Sequence, residues 1–120
     1  MGNSIVAEKS FQFAVRIVNL RKHLCKKNEF DISKQLLNSG TSIGANIHEG
    51  ISAQSTNDFI AKLSISLKEA RESLYWLKLL TATEYLTETE SKTICQDCNE
   101  LISMLTAIIK TTKANHAQNS

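Results

Sequence analysis

Residues 35–50 read QLLNSGTSIGANIHEG, and the fold turns on whether this run is a helix. Leu36, Leu37, Ile43, Ile47 and Ile51 recur at the three-and-four spacing of an amphipathic helix. Ser39, Gly40, Thr41, Ser42, Gly44 and Asn46 all oppose it, each interior glycine by roughly 1 kcal/mol against alanine. Such a helix forms only where tertiary contacts hold it. Gly40 and Gly44 lie four apart, and Ser39 and Ala45 extend the small surface, so the run predicts a neighbouring helix crossing at close range. A phosphate cradle would need a Gly-Lys-Ser/Thr ending after a strand, and neither is present.

The rest of the chain supplies the neighbours. Upstream, Val6, Phe13, Ile17, Leu20 and Leu24 make one stripe over about residues 4–27, with Ala14, Val18 and Cys25 widening it. The glycine-containing helix follows over about 33–51, with Asp31 or Ser33 as its cap. Ser55 and Asp58 resemble a capping box and open a third helix over about 56–82, whose inner seam reads Phe59, Leu63, Leu67, Ala70, Leu74, Leu77. Thr87 and Glu90 form a second box, with Leu86 as its hydrophobic staple. It opens a helix over about 88–113 carrying Ile94, Cys98, Leu101, Leu105 and Ile108. Residues 114–120 read as a flexible polar tail. Prolines are absent from all 120 residues, which favours long helices with few connections. Rods of about 35 Å joined by short links become antiparallel neighbours. The expectation is one all-α domain, an antiparallel up-down-up-down four-helix bundle.

Composition excludes several classes. The chain is 42% apolar and 22% charged, an ordinary globule and not a disordered chain. Fourteen Lys and Arg against twelve Asp and Glu is too mild a balance to announce nucleic-acid binding. No apolar run approaches the length of a membrane span, and the first residues lack the layout of a secretion signal. Three cysteines, an odd number, suit a reducing cytoplasm better than a disulfide framework. Catalytic patterns fail as well. Ser52 stands four after His48, where a zinc protease needs its second histidine. Cys95 and Cys98 lie mid-helix with no second pair, and Cys98 falls on the apolar seam. No enzyme, cofactor, metal or small-molecule substrate is expected.

With these elements in place, two motifs become familiar. Gln35 to Ser39 leading into Thr41 to Gly50 resembles the core signature of the four-helix-bundle family of 23S rRNA intervening-sequence proteins, also called S23 ribosomal proteins. Lys68 to Leu77, KEARESLYWL, resembles that family's third-helix motif, and Phe59 to Ser66 fits its lead-in. The resemblance runs from about Phe11 to Leu105. It implies the bundle, and homo-oligomers built as rings, pentamers among them. Some relatives are encoded within rRNA intervening sequences, and another is the accessory protein of a retroelement, so the resemblance implies RNA or a ribonucleoprotein as partner.

Three groups of residues carry the functional expectations. On the third helix Ile65, Tyr75, Trp76 and Leu79 project away from the seam, an apolar arc that a soluble monomer rarely leaves in water; they are the candidate oligomer interface. Through Lys27 the chain holds six cations against one carboxylate, whereas residues 81–100 hold five carboxylates and one lysine. Lys9, Arg16, Lys22, Lys26 and Lys27 are the candidate nucleic-acid contacts, through phosphates and hence salt-sensitive; no aromatic stacking platform accompanies them. Asn46 and Glu49 are polar groups on an apolar helix. Glu49 is expected to meet a cation from another helix, Arg21 or Arg71, as a polar clamp on register. The reading is a cytoplasmic, non-enzymatic homo-oligomer acting with RNA or a ribonucleoprotein; the alternative is a protein-interaction scaffold that binds no nucleic acid.

Overall fold

A computed structural model describes residues 2–119. Four helices follow in order: α1 (Gly2–Lys26), α2 (Asp31–Ile51), α3 (Thr56–Ala82) and α4 (Glu88–Asn119). Each backbone runs close to two neighbours, while the backbones of the diagonal pairs α1–α3 and α2–α4 stay farther apart across the core. Cross-helix contacts run in opposite senses along each pair, Ile17 on Gly40 and Ser10 on Gly44, Ser39 on Ser73 and Ile43 on Ser66. The architecture is therefore the antiparallel four-helix bundle. Its long axis of 52 Å is set by α4, whose 32 residues span about 48 Å.

Helix ends follow from capping chemistry. At α4 the Thr87 N–H donates to Glu90 Oε1 at 2.8 Å and the Glu90 N–H donates to Thr87 Oγ1 at 3.0 Å, the reciprocal box expected there. Ser55 Oγ accepts from the Asp58 N–H at 3.1 Å. At α2 the cap is neither Asp31 nor Ser33. The buried Glu29 carboxylate accepts from the N–H groups of Ile32 at 2.9 Å and Ser33 at 2.6 Å, satisfying two donors that the helix leaves open. The other correction is at the far end: α4 does not stop near Lys113 but continues to Asn119, while Ser120 lies outside the described residues. Ala114, Ala117 and Gln118 are good helix formers with no glycine or proline among them to stop propagation.

The core is built from Phe13, Ile17, Leu24, Leu36, Ile43, Ile47, Leu63, Leu77, Leu101 and Leu105, all fully buried. On α3 the inward line differs from the expected seam. Leu63, Ser66, Ala70, Ser73, Leu77 and Leu80 are buried, while Phe59, Leu67 and Leu74 are only partly so. Two serines thus sit where the hydropathy pattern placed leucines, because α3 faces the small-residue surface of α2. Ser73 and Ser39 share a hydrogen bond of 2.8 Å, and Ser66 Oγ donates to the Ile43 carbonyl at 2.7 Å. The glycines serve the other side: a Cβ on Gly40 would stand 2.8 Å from Ile17 Cγ1, and one on Gly44 3.2 Å from Ser10 Oγ. Close crossing by α1 is therefore what Gly40 and Gly44 permit.

Candidate interaction surfaces

The basic arc of α1 and the acidic stretch 81–100 meet within the same molecule. Lys9 Nζ pairs with Glu100 Oε1 at 2.9 Å. Arg16 binds Asp97 and, through Nη2, Thr93 Oγ1 at 2.9 Å. His23 Nε2 lies 3.3 Å from Glu90 Oε2, and Lys27 Nζ donates to the Tyr85 carbonyl at 3.0 Å. Positions 9, 16 and 23 recur every seven residues, so they line the edge of α1 that faces α4. The hydrogen bond to Glu100, with the charge behind it, holds the Lys9 ammonium above its usual range. A hydrogen bond with the Thr87 backbone holds the Glu90 carboxyl below its own, and Lys27 and His23 act in the same direction. Of the five cations expected to face a nucleic acid, Lys9, Arg16 and Lys27 thus spend their side chains on intramolecular contacts. Lys22 and Lys26 are exposed and form no ion pair among the described residues.

The expected clamp does not assemble. Glu49 meets Lys62 of α3 at 3.5 Å, on an exposed edge, instead of Arg21 or Arg71. Asn46 donates within its own helix to the Ser42 carbonyl at 2.8 Å. Arg71 is exposed. Arg21 reaches the Phe30 carbonyl at 3.5 Å, and its buried Nε has no partner. Register is fixed instead by the serine contacts between α2 and α3 and by Cys98, whose Sγ donates to the Ala70 carbonyl at 3.1 Å. Burial, then the neighbouring Cys95 and Asp97, pushes the Cys98 thiol up to about 12. No group of three or more metal-ligating side chains converges among the described residues.

Two outward surfaces are apolar. On α3, Ile65 and Tyr75 are exposed, Tyr75 by 59%. Tyr75 stands edge-on to Trp76 with ring centroids 5.0 Å apart. Trp76 is half-buried against the core, its Nε1 enclosed without a hydrogen-bond partner, and Leu79 is half-buried. The second surface was not anticipated: Phe11, Val15 and Val18 of α1 are 55%, 41% and 38% exposed. Beside them Phe11, Ala14, Thr41, Gly44, Ala45 and His48 line an almost wholly apolar cleft of about 380 Å³ between α1 and α2. The spacing of Phe11, Val15 and Val18 is itself helical, and Phe11 and Val15 fall outside the stripe read from the sequence, which is the signal that could have found this surface.

The model of the family described as "23S rRNA-intervening sequence protein" matches residues 2–107. The chain belongs to that family. A solved structure agrees: this intervening-sequence family member is similar to a protein of unknown function from the S23 ribosomal protein family of Bacteroides thetaiotaomicron VPI-5482. The two share 54% identity over 92% of this chain and 99% of that one, with a TM-score of 0.90. No curated protein matches. The two motifs that carry the resemblance are, in this family member, packing elements. One holds the glycines and Ser39 of α2, and the other holds Ala70 and Ser73 of α3, which receive Cys98 and Ser39. No helix of the described residues is long and apolar enough to cross a membrane.

Proposed function

We propose that the chain is a non-enzymatic, cytoplasmic module that works as an assembly of copies of itself. The observation that carries this is the row of Phe11, Val15 and Val18 held in water beside an apolar cleft. Fully burying side chains of this kind is worth roughly 1.5–3 kcal/mol each, and a patch of this sort marks an interaction site. The ring of subunits, five in number, that the family resemblance implies would use such a surface. The test is the Phe11→Asp variant, read by light scattering alongside circular dichroism. The helical signal is expected to persist while the mass falls to that of one chain. A folded variant with the wild-type mass would overturn the surface as the site of assembly.

A second reading, association with RNA or a ribonucleoprotein, is favoured by the family's own description together with Lys22 and Lys26 of the basic arc, which are exposed and form no ion pair among the described residues. Repetition of these charges around an assembly would add to a useful field. Binding through phosphates predicts gel retardation of structured RNA that weakens steeply with salt and is reduced by Lys26→Glu. Absence of retardation at low salt would leave the protein-interaction reading alone.

A further inference from the structure

An exposed aromatic ring stands at the corner where α1 turns into α2. Phe30 is 50% exposed, and hydrogen bonds fix the link that carries it. Asn28 takes a left-handed φ of 62°. Its N–H donates to the Cys25 carbonyl at 3.0 Å and the Glu29 N–H donates to the Leu24 carbonyl at 3.0 Å, the paired bonds of a Schellman stop. The buried Glu29 carboxylate then caps α2. Held between two closed helix ends, the ring is pre-organised to meet a ligand, which lowers the ordering cost of binding.

Cations converge on the same corner. Arg21 Nη2 reaches the Phe30 carbonyl at 3.5 Å, and the Lys34 N–H donates to that same oxygen at 3.2 Å, so α1 and α2 each bring a basic residue to Phe30. Lys22 follows Arg21 in the chain, and Lys26 stands one turn further along α1. The three lysines are exposed, and none of the four cations forms an ion pair among the described residues. Arg21 is poorly satisfied: beyond its one long contact, its Nε is enclosed with no partner. Its guanidinium gains by turning to an outside acceptor, and its planar fork suits a phosphate. Within residues 21–34 the only carboxylates are Glu29 and Asp31. Glu29 is committed to the α2 amides. Asp31 lies about two and a half turns before Gly40, the residue that meets α1, and so faces away from α1. The α4 side of α1 differs, because there Glu90, Asp97 and Glu100 already occupy the cations.

We propose that this corner binds an unpaired nucleotide of RNA, with the base stacked on Phe30 and the phosphate held by Arg21 and Lys34. Lys22 and Lys26 continue the basic track along the strand. This rests on the RNA reading above and names the part of the RNA that is recognised. Every base has a π-face, so stacking serves any sequence, whereas a duplex keeps its bases inside and offers phosphates alone. The corner therefore prefers single strands to duplexes.

Fluorescence anisotropy at low salt tests the site, with a labelled RNA of about a dozen nucleotides that cannot pair with itself, alone and annealed to its complement. Wild type is expected to bind the single strand more tightly. Phe30→Ala should weaken single-strand binding about ten-fold, the effect of losing one stacked aromatic, and leave the duplex unchanged. Lys34→Gln and Arg21→Gln should each weaken it about three-fold, and Lys113→Gln, the same charge lost at the far end of α4, less than about two-fold. Circular dichroism checks that each variant is folded, and the exposed Lys34 carries the charge test if Arg21→Gln is not. Sedimentation of Phe30→Ala should give the wild-type mass; a fall in mass would assign the ring to assembly and overturn the site. Equal affinity for strand and duplex, an unchanged Phe30→Ala, or a Lys34→Gln no weaker than Lys113→Gln would overturn the site while leaving RNA binding standing. A wild-type protein that binds neither RNA would remove both.

Discussion

Gly40→Ala isolates the contact on which the packing of α1 against α2 depends. In an isolated helix the change would stabilise by about 1 kcal/mol, because alanine fixes less backbone freedom. In the bundle the new methyl would stand 2.8 Å from Cγ1, 2.9 Å from Cγ2 and 3.3 Å from Cβ of Ile17, which is fully buried. A β-branched side chain clamped on both branches has no free rotamer to retreat to, so α1 must move off. Overpacking of this kind costs about 1–3 kcal/mol, which outweighs the propensity gain and leaves a net loss of about 1 kcal/mol. At Gly44 the nearest atom is Ser10 Oγ at 3.2 Å, a milder approach, and there the two effects should cancel to within about 0.5 kcal/mol. Urea denaturation of Gly40→Ala, Ile17→Ala and the double variant reads the argument. The double variant should lose at least about 1 kcal/mol less than the sum of the singles, because the cavity accepts the methyl. A Gly40→Ala protein as stable as wild type, with additive singles, would refute the close-crossing account.

Other consequences concern caps, charges and thiols. Thr87→Ala should destabilise by about 1 kcal/mol through loss of the α4 cap, measured by thermal denaturation. Because the Glu90 carboxyl is held below its ordinary value in the folded chain, its contribution is present above about 4.5, its unperturbed value. That contribution fades as pH falls through the depressed folded value; Glu90→Gln should flatten that part of the stability profile. The paired charges between α1 and α4 are about half exposed, so Arg16→Ala should cost less than about 1 kcal/mol, and the cost should shrink further in molar salt. Cys98, with its thiol near 12, should resist a thiol reagent at pH 8 until the protein unfolds; modification of Cys98 as fast as that of a free thiol would contradict its buried hydrogen bond to Ala70.

Much of the fold was legible because helices, caps and small-residue crossings are written in local spacing. Thr87 and Glu90 announce a capping box whatever follows, and Gly40 with Gly44 announces a close neighbour. What stayed hidden depends on rotation and pairing. Hydropathy ranks Leu67 and Leu74 above Ser66 and Ser73, yet the serines face inward because α2 presents Ser39 and the Ile43 carbonyl to them. The opposite charges of α1 and of residues 81–100 were both visible. Only the three-dimensional arrangement shows that Lys9 and Arg16 meet Glu100 and Asp97, and that phosphate contact would have to displace them. Glu49 asked for a cation, and Lys62 of the facing helix supplies it at shorter reach than either arginine. Val18 illustrates the limit of a wheel. It widens the α1 stripe on paper, yet it lies 38% exposed on the edge that faces outward.

The decisive quantity for the functional account is the mass of the unmodified protein in solution. Sedimentation velocity at micromolar concentration should show a particle several times heavier than the 13.4 kDa chain, shifting toward that unit only on strong dilution. A single species of 13.4 kDa across the whole concentration range would mean that the apolar surfaces of α1 and α3 face water in the working protein, and the proposed assembly would be wrong.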